Sequence, residues 1–279
     1  MNIKQTKKDA LARLSGKWPK ALVLTLIYIL IVFTLTYVGN YCLSLATNAP
    51  ILQVLIDLVI LGISLPLSFG VTATFVDLSK GKDVSYTEFI NKSILNFSKV
   101  WRVTFAIALK IILPIILFTI AVIVITMLCT SMISNSAEDI SLGAVAGIFS
   151  IAYLAIMIFA FVKFLPYALS FLVLANEPDK TAKEIIETSA VLMENKKLEY
   201  LLLILSFFGW LLLIAFVAML VKHFTQATIT TDIIANIGAI LLSPYILVSQ
   251  IVYYEKLANK SDKDTTKNEL NEDASSENK

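Results

Sequence analysis

Charge is scarce in this chain. Asp, Glu, Lys and Arg make up only 16% of its 279 residues, against about 25% in a typical soluble domain. That leaves too little polar side chain to cover a water-facing surface. Histidine occurs once and cysteine twice, so neither a zinc nor a haem framework can be assembled, and no cofactor is expected. Nine glycines and seven prolines exclude a collagen-like or low-complexity chain. A formal net charge of +2 argues against a nucleic-acid partner. The motifs G-x-x-x-x-G-K-[ST], H-E-x-x-H and G-x-S-x-G are all missing, and no enzyme activity is expected.

Apolar residues fill the space instead, at 57% of the chain and a mean hydropathy of +0.79. Crossing about 30 Å of hydrocarbon takes about 20 apolar residues. Six runs reach that length: residues 21–46, 51–78, 103–133, 142–175, 200–221 and 233–255. Lipid offers no partner to an open backbone group, so runs without alternation are helices. The first run is too long for the core of a cleavable signal. The fold expected is all-α, a polytopic membrane helix bundle of six transmembrane helices.

Basic residues are distributed very unevenly between the connectors. Of the 23 Lys and Arg, 20 fall in residues 1–20, 79–102, 176–198 and 256–279. The short loops near 47–50 and 134–141 hold none, and the loop after the fifth span holds Lys222 alone. By the positive-inside rule both termini are cytoplasmic and the three short loops face outward.

The basic connectors share a plan. Thr6-x-x-Asp9, Ser85-x-x-Glu88 and Thr181-x-x-Glu184 each read as a helix start with a capping box. Apolar residues then recur at helical spacing: Ile3, Leu11, Leu14 and Trp18; Tyr86, Phe89, Ile90, Phe97 and Trp101; Ala182, Ile185, Ile186 and Met193. Three cytoplasmic amphipathic interfacial helices are expected. The second and third units match at an offset of 96 residues, pairing Phe75 with Phe171, Asp83 with Asp179, Glu88 with Glu184 and Ser93 with Ser189. This predicts a threefold helix-plus-hairpin repeat over 6–78, 85–175 and 181–256 within one membrane domain, 1–258. The alternative is that any alternating-topology bundle looks repetitive at low resolution. Residues 259–279 are too polar to bury a core and are expected to be a disordered cytoplasmic tail.

Ionisable groups at membrane depth mark candidate sites. Lys163, Asp57 and Lys110 qualify as an intramembrane polar site, with snorkelling as the plainer reading of Lys110 and Lys163. Proline removes a backbone donor, so Pro66, Pro114, Pro166 and Pro244 are the expected kinks. An amine at Lys110 or Lys163 would satisfy a carbonyl freed by the nearby proline. Lys92, Lys99, Lys196 and Lys197 edge the interfacial helices and are the candidate contacts to anionic lipid. His223 has no metal-binding company, and Cys42 and Cys129 are read as free thiols. Glu138 and Asp139 read as a solvated outer turn.

The stretch from Glu184 to Trp210 carries Ser189, Leu192, Met193 and Lys197, then Leu205-Ser206-Phe207-x-Gly209-Trp210. With the opening Ala10-Leu11-x-x-Leu14-x-Gly16-x-Trp18, it resembles an uncharacterised bacterial integral membrane family, domain of unknown function 975. The resemblance runs from about Ala10 to Tyr254 and implies a multi-pass protein of the bacterial plasma membrane. It supplies no mechanism. Where that family often has Pro-Gly in the third span, Pro114 is here followed by Ile115. The expected function is therefore a non-enzymatic lipid- or partner-binding membrane protein. A small secondary transporter or channel is the alternative, and an intramembrane enzyme the third. The bilayer is the expected partner, with anionic lipid or a membrane protein as further ones; oligomeric state is not legible.

Overall fold

The computed structural model describes residues 2–45, 50–136, 142–225 and 228–276. The remaining positions include Glu138 and Asp139; they and the side chain of Cys129 lie outside the described residues. The described residues form ten α-helices and no strand: α1 Ile3–Leu14, α2 Trp18–Leu45, α3 Pro50–Ser79, α4 Glu88–Leu95, α5 Phe97–Ser136, α6 Leu142–Phe164, α7 Ser170–Asn176, α8 Ala182–Leu192, α9 Lys197–Thr225 and α10 Thr228–Ser276. A 3-10 turn, Leu165–Tyr167, separates α6 from α7. Six helical segments are long and apolar enough to cross a membrane: Trp18–Ser44, Pro50–Ser79, Phe97–Leu128, Ala146–Asn176, Lys197–Phe224 and Asn236–Ser261. All six predicted spans are present, and several begin earlier than hydropathy suggests. The lysine and tryptophan residues at their ends stay in the helix and only the apolar stretch is set by lipid.

The helix starts follow their local chemistry. Thr181 and Glu184 form a complete capping box at α8. At α4 only half is made: Glu88 accepts from the Ser85 amide at 3.1 Å, and Thr87 caps without a side-chain bond. The box expected at Thr6 and Asp9 is absent. Asn2 caps α1 instead, accepting from the amides of Lys4 and Gln5. Thr6 lies inside that helix, fully buried, with its hydroxyl donating to the Asn2 carbonyl. Gly16 at φ 74° and Asn195 at φ 55° make the turns out of α1 and towards α9, a backbone region open to glycine and tolerated by asparagine.

The prolines differ in effect. Helical backbone continues through Pro66 in α3, Pro114 in α5 and Pro244 in α10. The helix stops only at Pro166, in the 3-10 turn. Helical backbone also continues through residues 259–276, where the composition suggests a disordered tail. Lys, Glu, Asp and Asn are poor core formers, but Lys and Glu are good helix formers, and a helix needs no core to extend from an anchored one.

The chain divides into two compact units, where the sequence suggests a single membrane domain. One comprises Met1–Trp101, Phe171–Lys180 and Asn195–Lys279; the other Arg102–Ser170 and Thr181–Glu194. In the first, α2 and α3 form one hairpin, α9 and α10 another, α4 lies on α3, and α1 lies on α10. Glycines set the close approaches: a Cβ at Gly70 would lie 2.0 Å from Ser93 Oγ and 2.1 Å from the Phe89 carbonyl oxygen. Phe69, Phe75, Phe89, Leu14, Leu24 and Tyr253 are fully buried around these crossings. The spans' far halves instead expose large apolar side chains such as Phe33 and Ile51, as a lipid-facing surface does. In the second unit, Phe118 of α5 stacks on Phe159 of α6 at 4.0 Å. There α8 packs against the 3-10 turn, with Ser189 Oγ donating to the Pro166 carbonyl at 2.9 Å.

Candidate functional site

The first unit's basic end is laced with ion pairs. On α3, Asp77 meets Lys82 at 2.6 Å and also accepts from Lys92 of α4. Lys92 in turn meets Glu88 at 2.9 Å. On α1, Asp9 pairs with Lys256 and Arg13 with Glu255, both at 2.6 Å, which ties α1 to α10. Lys20 meets Asp83 at 2.5 Å. Lys17 donates to the Leu78 carbonyl at 2.9 Å, capping the α3 C-terminus, where a cation also opposes the helix dipole. The Lys256 ammonium holds the Asp9 carboxyl below the usual aspartate range. Lys20 does the same for Asp83, and Asp77 pushes Lys82 up.

Three of the four lysines singled out for lipid contact are thereby engaged. Lys92 is held by Asp77 and Glu88, Lys99 donates to the Pro178 carbonyl, and Lys196 meets Glu199 at 2.7 Å. Lys197 alone of the four is exposed and unpaired among the described residues. Lys4, Lys8 and Lys183 share that state; sequence reasoning passed over them because exposure depends on which face each helix buries.

The membrane-depth ions sit on outer faces. Asp57 is exposed and accepts from Gln53, one turn back, at 2.9 Å. Lys110 is exposed with its amine 6.0 Å from the Tyr167 ring centre. Lys163 is exposed with its amine 5.4 Å from the Phe159 ring, within the range of a cation–π contact. At Pro66 and Pro244 the freed carbonyl is satisfied by a side-chain donor. Pro66 leaves the Gly62 carbonyl without its i+4 amide, and Trp101 Nε1 donates to it at 3.3 Å. Pro244 frees the Ile240 carbonyl, and the Ser243 hydroxyl donates to that at 3.0 Å.

The family-signature residues on α9 receive α1. Lys7 reaches the Ser206 carbonyl at 3.2 Å and its hydroxyl at 3.3 Å, with the amine 4.3 Å from the Phe207 ring centre. Burial pushes the Lys7 amine down from its usual value. Ser189 and Met193 are fully buried in their unit, and Cys42 is a free, exposed thiol.

One cavity holds polar groups that sequence reasoning missed altogether. It measures about 330 Å³ and lies between α2, α3 and α10, lined by Thr25, Tyr28, Ser68, Thr72, Ser243 and Gln250 together with aliphatic side chains. None of these is charged, so a search for intramembrane ions passes over it. The only sequence signal would have been hydroxyl and amide residues recurring at one depth in three spans.

Six apolar helices, an apolar outer surface and a basic, ion-paired end define a multi-pass helical membrane protein. The family model described as "Protein of unknown function (DUF975)" matches residues 1–261, and the chain belongs to that family. No curated protein and no solved structure matches it.

Proposed function

We propose that this is a non-enzymatic membrane protein whose basic end, facing the cytoplasm of a bacterial cell, contacts anionic lipid or an acidic membrane partner. The observation that carries this reading is that Lys4, Lys8, Lys183 and Lys197 are exposed and carry no intramolecular ion pair among the described residues. Each Lys near an anionic surface contributes about 1 kcal/mol of attraction. Lys92, Lys99 and Lys196 are structural cations in this reading, occupied within the fold. Their reversal would test folding as much as lipid contact.

The helix starts support the interfacial and repeat readings. Each of α1, α4 and α8 buries one face, through Thr6, Ala10 and Leu14, through Phe89 and Ser93, and through Ile185, Ile186 and Ser189. Ser93 lies against α3 at Gly70, and Ser189 against the 3-10 turn at Pro166; both members of the pair are displaced by 96 residues.

The test is lipid retention by the full chain in nanodiscs containing equal phosphatidylglycerol and phosphatidylcholine. Native mass spectrometry of the wild type should show phosphatidylglycerol preferentially bound. The quadruple variant Lys4→Glu, Lys8→Glu, Lys183→Glu, Lys197→Glu should lose that preference at least fivefold while keeping its melting temperature. An unchanged preference would falsify the reading. The transporter or channel alternative gets no enclosed ion from Asp57, Lys110 or Lys163, since all three are exposed.

A further inference from the structure

The α2–α3–α10 cavity is unusual for where its polar groups lie. Tyr28 is eight residues beyond Lys20, Ser68 nine before Asp77 and Gln250 five before Glu255, the nearest ion-paired residue on each helix. At about 1.5 Å rise per residue, all three stand roughly 8–14 Å in from the ion-paired end. The hairpin of α2 and α3 and the distant α10 thus each bring a hydrogen-bonding side chain to one cavity within their apolar segments.

The same three side chains have no protein partner. Thr25, Thr72 and Ser243 spend their hydroxyl protons on carbonyls of their own helices, those of Ala21, Ser68 and Ile240. No hydrogen bond joins the Tyr28 hydroxyl, the Ser68 hydroxyl or the Gln250 amide to any other described group. A serine or threonine within a helix ordinarily bonds the carbonyl one turn back, as its neighbours do here and Ser68 does not. An unpaired polar group in hydrocarbon is costly. The wall therefore presents free donors from Tyr28, Ser68 and Gln250 beside the unused lone pairs of three hydroxyls. It holds no charge to balance an ion.

We propose that this cavity binds an uncharged group bearing several hydroxyls, which both accepts and donates hydrogen bonds. Two sources carry that chemistry: the headgroup of a neutral glycolipid or diacylglycerol entering from the bilayer, and a free small polyol entering from water. The cavity volume admits a single sugar ring or a glycerol unit. This site is independent of the anionic-lipid reading, because it contains no lysine.

Ser68→Cys in a full chain lacking Cys42 and Cys129, both replaced by serine, tests it in nanodiscs. Leu30→Cys, lipid-facing on α2 at similar depth, is the control. A membrane-permeant maleimide, which needs a hydrated thiol, should modify Cys at position 68 at least tenfold faster than at position 30. Monoglucosyl diacylglycerol in one arm, and free glycerol or glucose in the other, should slow that labelling at least fivefold in one arm or both. The protecting arm identifies the source. Tyr28→Phe together with Gln250→Leu should abolish protection without slowing labelling of the unliganded site. Labelling as slow as the control, or fast labelling that no arm protects, as in a site holding water only, overturns the proposal.

Discussion

Gly70 has no side chain because α4 leaves no room for one. Its virtual Cβ falls on both Ser93 Oγ and the Phe89 carbonyl, and only the serine could yield. Gly70→Ala should therefore cost at least about 2 kcal/mol, in the range of overpacked core sites, read as a lower melting temperature in detergent. Adding Ser93→Ala should not restore it, since the backbone oxygen remains. Asp9 supplies a second residue-level prediction. Its carboxyl is held below the usual range chiefly by Lys256, so ionised Asp9 stabilises the fold. That contribution is complete above the ordinary aspartate pKa and disappears as pH falls through the lower folded value. Wild type and Asp9→Asn should differ in melting temperature at neutral pH and converge in strong acid. A constant difference across that range would remove Lys256 as the cause. Neither Gly70 nor Asp9 was legible as a contact in the sequence, because each depends on an element distant in the chain.

Between helices, the ends are joined by opposite charges placed by tertiary packing. The α3–α4 junction uses Asp77 on the spanning helix and Lys92 on the start helix. The α10–α1 junction uses Lys256 on the spanning helix and Asp9 on the start helix, the reverse polarity. Asp9→Lys alone should lower the melting temperature by leaving two cations face to face. Asp9→Lys with Lys256→Asp should recover at least half the loss. Half-exposed pairs contribute only about 0.2–1 kcal/mol, so the repulsive single variant is the more sensitive arm. A proline-freed carbonyl gives a further test at this scale. Trp101→Phe keeps an aromatic ring but removes the donor to the Gly62 carbonyl together with the five-membered ring that carries it, and should cost at least about 1–3 kcal/mol. The sequence marked Pro66 as a break in the ladder; it had no means of naming Trp101, 35 residues on, as the group that mends it.

For the whole molecule, the cytoplasmic placement of the basic end remains the proposal to test by labelling. A single cysteine at position 138 should react with an impermeant maleimide in intact cells, and one at position 180 should react only after permeabilisation. The reverse pattern would overturn the orientation. The sequence by itself determined the six helices, since lipid tolerates no unpaired backbone and the apolar runs are long enough to read without neighbours. It also determined the clustering of basic connectors and the family, which rest on composition and local motif. Tertiary structure alone decided which lysines are free and which are locked in pairs, and placed Asp57, Lys110 and Lys163 on outer faces. It alone brought Tyr28, Ser68 and Gln250 to one cavity. Those facts depend on the rotation of each helix about its axis and on which helix lies beside it. Uniformly apolar spans have almost no amphipathic face, so their rotation is set by glycine contacts and end-to-end ion pairs rather than by any pattern written along the chain.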